Sequence, residues 1–271
     1  MKLSGQHFKH REQGITLVEL VVVVAVLAVL AVLLLPALEA ATESSQMGQS
    51  ISNLRQLVVA NQSYASDHGS YCPADDRRNN RRWHGARASS SQPFDPACGL
   101  LAEYLGKSKK VGICPLFQAL TRGENSFESG CGGYGYNASY IGGTPSWAYD
   151  SRGLRVAARP AQMHNAAATI MFTTSGYATG GSVQEYPYAE PPFWDFGQGP
   201  SGSRPSPTVH FRFRGHALVA WCDGRVTSER SVAREEGDNP HGGDAKAENL
   251  GWFGPEVENG FWNPQRTRTA P

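Results

Sequence analysis

From Ile15 to Leu35 the chain is apolar except at Thr16 and Glu19, and no formal charge follows Glu19 until Glu39. An apolar run of about 20 residues rising 1.5 Å each covers roughly 30 Å, the hydrocarbon depth of a bilayer, so a membrane-crossing helix is predicted here. Past Pro36 the pattern changes. Ile51, Leu54, Leu57, Val58, Asn61 and Tyr64 or Ala65 recur at intervals of three and four, the stripe of a two-faced helix, and His68-Gly69 supplies a stop. The pattern predicts one helix from Ile15 to about Asp67, on the order of 80 Å long, greasy all round over 15–38 and amphipathic over 39–70. Its second half needs a sheet to pack on.

Residues 71–271 supply that sheet. Tyr134-Gly135-Tyr136 with the residues to Ile141 alternates aromatic and small positions as a half-buried strand does, and Ala166 to Thr174 reads as a central strand. Val209 to Phe213 alternates, Ala217 to Cys222 is a strand, and Asp223-Gly224 is a favoured tight turn before Arg225-Val226. Gly99 to Leu105 suggests a short helix. The stretch from Thr174 to about Pro207 is rich in Gly, Pro and aromatic residues and is expected to be a long surface excursion. Tyr186, Tyr188, Phe193, Trp194 and Phe196 are the side chains that a carbohydrate-stacking site there would use. The fold class is α+β: a long N-terminal helix on an antiparallel β-sheet domain with long loops.

A carboxylate near the end of a membrane span costs a few kcal/mol, so Glu19 is expected only where it finds a partner or does a job. Three readings compete for the segment: a secretory signal cut near Ala40-Ala41, an uncut anchor, and a cut before the apolar run, between Gly14 and Ile15. In the third the basic leader with Lys2, Lys9 and Arg11 stays cytoplasmic, as the positive-inside rule expects. Gly14, then an apolar residue, then Glu19 as the fifth residue after that glycine, resembles the type IV prepilin processing signal. The third reading is therefore preferred. Pro36 sits where that family often carries a helix-bending proline.

The resemblance implies a prepilin peptidase that removes residues 1–14 and methylates the new amino group on Ile15. It also implies that Glu19 pairs with the terminal ammonium of a neighbouring subunit. Between unit charges that attraction is worth about 1 kcal/mol in water and several at intermediate dielectric, so an apolar helix bundle makes the pair selective. Burying either charge alone is penalised, and registry follows. Pilins and pseudopilins share this lollipop design, with a transmembrane helix and an exported domain.

Further words extend the likeness. Asn53-Leu54-Arg55-Gln56-Leu57, Tyr64-Ala65-Ser66-Asp67-His68-Gly69 and Tyr71-Cys72-Pro73 resemble the prepilin-like families abundant in Planctomycetes and Verrucomicrobia, among them type II secretion proteins and the domain of unknown function 1559. Val111-Gly112-Ile113-Cys114-Pro115, similar to those families' Cys-Pro after a strand, and the Tyr-Gly-x-Asn of Tyr134 to Asn137 agree, as does the tail Leu250 to Pro255 with Asn259 to Pro264. Their processing-associated module carries a histidine before Asp-Gly where this chain has Phe213, so no histidine role is carried over.

Composition narrows the chemistry. A net charge of +1 points neither to nucleic acid nor to an acidic partner. Four arginines beside Trp83, in Asp75 to His84, could grip a phosphate backbone or an anionic sugar; a solvated insertion with Trp83 packed inward is preferred. All five cysteines lie beyond the span, where disulfides persist, and Cys114 with Cys131 is the expected pair. Asp238 and Asp244 sit in an oxygen-rich loop near the end where major pseudopilins hold calcium, without the alternation of a dedicated calcium loop. No other cofactor is expected. No nucleophile elbow, zinc-binding HExxH, phosphate loop or dinucleotide fingerprint occurs, so the expectation is a non-enzyme.

The leading expectation is a single-pass inner-membrane protein with its C-terminal domain in the periplasm or at the cell surface. Its expected partners are prepilin peptidase, membrane lipid, other copies and pilin-like subunits, and an assembly platform with its ATPase. The alternative is a membrane-tethered module that binds carbohydrate or DNA.

Overall fold

The computed structural model describes residues 17–121, 128–180, 182–232 and 243–266. Gly14 and Ile15 lie outside them, as does Asp238. Two compact units divide between Ser45 and Gln46.

The helix forms as its pattern requires: α1 is Leu17–His68 and continues through Pro36. It ends where Gly69 takes φ +74°, with the Gly69 N–H on Ala65 O at 2.9 Å. Glycine reaches this left-handed conformation without a Cβ penalty. In the first unit every large apolar side chain from Leu17 to Leu35 is exposed.

In the second unit, short strands follow in order: β1 (Arg81–Arg82), β2 (Gly85–Ala86), β3 (Tyr134–Tyr136), β4 (Ile170–Thr174), β5 (Tyr177–Thr179), β6 (Ser182–Gln184), β7 (Val209–His210), β8 (His216–Trp221), β9 (Val226–Arg230) and β10 (Leu250–Gly251). A second helix, α2, covers Pro115–Leu120. The main sheet is antiparallel with order β3-β4-β8-β9, and β1-β2, β5-β6 and β7-β10 pair separately. The α+β class is thus observed.

The predicted stripe faces this sheet. Leu54, Leu57, Val58, Tyr64 and Ala65 join Tyr134, Tyr136, Phe172, Leu218 and Ala220 in one core. Two helix amides fix the fit, Asn53 Nδ2 donating to Tyr134 Oη at 3.2 Å and Asn61 Nδ2 to Tyr136 Oη at 2.9 Å. Residues of β8 alternate, so Ala217, Val219 and Trp221 enter a second core with Trp252, Phe253 and Trp262 on the other face. A register shift between Ile170 and Phe172 sends Ile170 to that second core, while Met171 and Phe172 both join the first.

Four expectations need correction. Residues 166–168 form a 3-10 turn, so the central strand starts at Ile170. Pro96–Cys98 and Ala102–Tyr104 are likewise 3-10 turns in place of a short helix at Gly99 to Leu105, and the segment before Cys114 is no strand, Cys114 instead preceding α2. The Thr174–Pro207 stretch is a surface excursion only in part: Tyr188 to Pro192 is buried, whereas Phe196 to Pro200 is exposed.

That inward course has a cause. Residues 187–189 run beside β3, with the Tyr136 N–H on Pro187 O at 2.9 Å and the Ala189 N–H on Tyr136 O at 2.8 Å. Three indole N–H groups then take its carbonyls: Trp83 on Pro187 at 2.9 Å, Trp262 on Ala189 at 2.9 Å and Trp252 on Glu190 at 3.1 Å. A buried loop needs such partners for its backbone. The close approach also needs Gly135, where a Cβ would stand 2.6 Å from Tyr188 O.

The expected Cys114–Cys131 disulfide is absent. All five cysteines are free thiols. Cys114 Sγ receives a hydrogen bond from Ser50 Oγ at 3.3 Å, and burial and the Glu185 carboxylate hold the Cys131 thiol well above the usual range.

Gly135→Ala is expected to destabilise the chain by about 1–3 kcal/mol through overpacking against the 187–189 segment. Gly202→Ala, where a Cβ meets nothing within 4 Å, is expected to stay within about 0.5 kcal/mol of wild type. Urea denaturation of the full chain in detergent measures both; equal effects would contradict this reading of Gly135.

Candidate functional site

Two regions carry chemistry. In the first, Glu19 is exposed in the opening turn of α1, two residues after the helix begins. α1 is the one helix among the described residues long and apolar enough to cross a membrane. Residues 9–35 match a family model, the prokaryotic N-terminal methylation motif, which spans Gly14, Ile15 and Glu19. The chain carries a prepilin-type N-terminus. No curated protein and no solved structure matches it. A prepilin-type motif running into an exposed apolar helix marks a pilin-like exported protein with a single membrane anchor, and implies processing by prepilin peptidase and assembly with other pilin-like subunits.

The second region is a cavity of about 240 Å³ in the second unit, walled by Trp147, Tyr149, Trp194, Tyr186 and Tyr188 and floored by Asp75, Arg155 and Glu190. Its parts come from four separate stretches. Tyr186, Tyr188 and Glu190 are spaced by two along an extended segment, so all three share one side of the indole-held strand. Asp75 and Arg155 meet by backbone as well as side chain, the Arg155 N–H donating to Asp75 O at 3.0 Å.

The buried groups are only partly satisfied. Tyr188 Oη donates to Asp75 Oδ2 at 3.0 Å, and Tyr186 Oη donates to Glu190 Oε1 at 3.0 Å. Arg155 Nε stands 3.0 Å from Asp75 Oδ1 as an ion pair, yet neither atom has an aligned hydrogen bond among the described residues. The Arg155 guanidinium also lies over the Trp147 ring at 4.2 Å. Burial pushes the Glu190 carboxyl up to about 6, against the lowering effect of the Tyr186 hydroxyl and Arg155. Burial likewise raises Asp75, with Arg155 pulling the other way.

The sequence reading found part of this. Tyr186, Tyr188 and Trp194 do line one cavity, whereas Phe193 lies under the Arg204 guanidinium at 4.3 Å and Phe196 stacks on Trp194 at 6.5 Å, 63% exposed. Asp75, Arg155, Glu190, Trp147 and Tyr149 were missed. The Tyr-x-Tyr-x-Glu alternation was the available signal. The four arginines do not form one exposed patch, because Arg82 is buried and paired with Glu128. Trp83 packs inward as preferred. Asp244 Oδ1 accepts the Ala247 N–H at 2.9 Å, and among the described residues no three His, Cys, Asp or Glu side chains group as metal ligands.

Glu190 yields a pH prediction with a definite sign. A carboxyl raised from 4.5 to about 6 binds more protons folded than unfolded. Its contribution is therefore fully present below pH 4.5 and is lost as pH rises toward 6, a change of about 2 kcal/mol at 1.36 kcal/mol per unit. Glu190→Gln is expected to gain stability relative to wild type across that window and hold the gain at pH 7. Unfolding free energies of both chains from pH 4 to 7 measure it; a gap independent of pH would contradict the raised carboxyl.

Proposed function

We propose that this chain is a subunit of a type II secretion or type IV pilus-like filament, cut between Gly14 and Ile15, methylated on Ile15 and assembled through α1. The motif over residues 9–35, running directly into an apolar helix left exposed among the described residues, is the observation that carries the reading. In the bilayer, lipid covers that surface. In a filament other copies of the helix do so, and Glu19 meets the ammonium of a neighbour's Ile15. An isolated acid in such a bundle is costly and a paired one is not, so the pair selects the register.

The chain has no sequence signature of a nucleotide site, so an assembly platform and its ATPase would supply the work of extraction. We read the role as structural, not catalytic. A domain of this size with a formed cavity suits a minor or tip subunit better than a minimal repeating one. The words around Tyr64 to Pro73 favour the families abundant in Planctomycetes and Verrucomicrobia.

Intact-mass analysis of the chain from membranes is expected to give residues 15–271 plus one methyl group. A terminus near residue 41 or an uncut leader would contradict the proposal. Glu19→Leu is expected to insert normally and yield no shear-released filaments; filaments at the wild-type level would remove the ion pair from the account.

A further inference from the structure

The cavity between Asp75, Arg155 and Glu190 is not needed for a filament. Buried carboxylates that weaken the folded state at neutral pH persist where they serve function. We propose that this cavity binds one neutral pyranose ring of a glycan, gripped by Asp75, Glu190 and Arg155 and flanked by Trp147 and Trp194.

Three observations select this ligand. First, the lining carries both signs: Asp75, Asp76 and Glu190 against Arg77 and Arg155, with tyrosine hydroxyls between them. A phosphate would face three carboxylates, and a quaternary ammonium would face two guanidinium groups. A sugar hydroxyl both donates and accepts, and so fits a floor of mixed acceptors and donors. Second, Asp75 and Arg155 are buried, only 4% and 5% exposed, and Arg155 Nε is held 3.0 Å from Asp75 Oδ1, so opposite charges are fixed side by side against the cavity. Third, aromatic surface stands open at the mouth. Trp147 and Trp194 lie 6.0 Å apart at 55°, Trp147 is exposed, and Phe196 extends the surface from Trp194.

The ring count follows from size. About 240 Å³ falls below the roughly 300–1,000 Å³ of drug-sized sites, so one ring enters and the rest of a chain lies outside along Trp194 and Phe196. The indoles of Trp83, Trp252 and Trp262 hold the Tyr186–Glu190 segment in place before any ligand binds, so the site is preorganised.

The test uses the full chain in a polyoxyethylene detergent, which contains no sugar. Methyl β-glucoside, methyl β-galactoside, N-acetylglucosamine and cellotetraose are titrated while tryptophan fluorescence and saturation-transfer NMR are recorded, with choline chloride and inorganic phosphate as the competing chemistries. Saturable binding of at least one sugar is expected, weakened tenfold or more by Trp194→Ala and by Glu190→Gln. The Glu190→Gln chain is expected to lose affinity while gaining stability at pH 7, which separates lost contact from lost fold. Sedimentation with insoluble cellulose and chitin distinguishes a polymer source from a free sugar. Binding of choline or phosphate with no sugar bound, binding of no probe, or wild-type sugar affinity in both variants would overturn the proposal. None of these outcomes depends on whether the chain polymerises.

Discussion

An apolar surface must be covered. From Leu17 to Leu35 α1 exposes every large apolar side chain it has, and nothing among the described residues of the first unit hides them. At about 25 cal/mol per Å² of apolar surface this is a large unfavourable exposure in water, so the segment exists only in lipid or against other apolar helices. Its one acid, Glu19, is incompatible with lipid alone and compatible with a bundle that supplies a cation. In the proposed filament the amino group freed at Ile15 is that cation. On the proposed function, membrane anchorage and filament assembly are two coverings of the same surface.

In the second unit a different constraint prevails, that of satisfying buried backbone. Residues 187–190 pass through the interior and find partners in β3 and in indoles from three distant places in the chain. The tail around Trp252 and Trp262 has its structural reason there. Asn137 ties that tail to the sheet, donating from Nδ2 to Ile170 O at 3.0 Å and to Trp262 O at 2.9 Å. Asn259, with φ +60°, donates from Nδ2 to Tyr140 Oη at 2.8 Å and accepts the Phe193 N–H at 2.8 Å. These contacts hold the cavity wall from outside.

What was legible in the sequence was local. The helix stripe, its Gly69 stop, the Ile170–Thr174 strand and the Asp223-Gly224 turn all depend on neighbours within a few residues, and each is observed. Residues 174–207 read as surface because Gly, Pro and aromatic composition resembles a loop. The burial of their middle, Tyr188 to Pro192, is tied to Trp83 and Trp262, whose indoles lie about a hundred and about seventy residues away in sequence. The Asp75–Arg155 pair is equally non-local, and the charged words around Asp75 disguised a buried residue as a solvated one. Compartment and sequence proximity do not determine what each thiol touches, and the five cysteines stand as free thiols.

The account turns on what covers α1, and photocrosslinking reads that directly. A photoreactive amino acid is placed at Val24 or Leu34, both exposed on α1, in cells that produce prepilin peptidase, and sheared surface material is analysed after illumination. The account predicts a ladder of covalent multimers joined through α1. Surface material without such multimers, with the probe attached to lipid alone in the membrane, would contradict it.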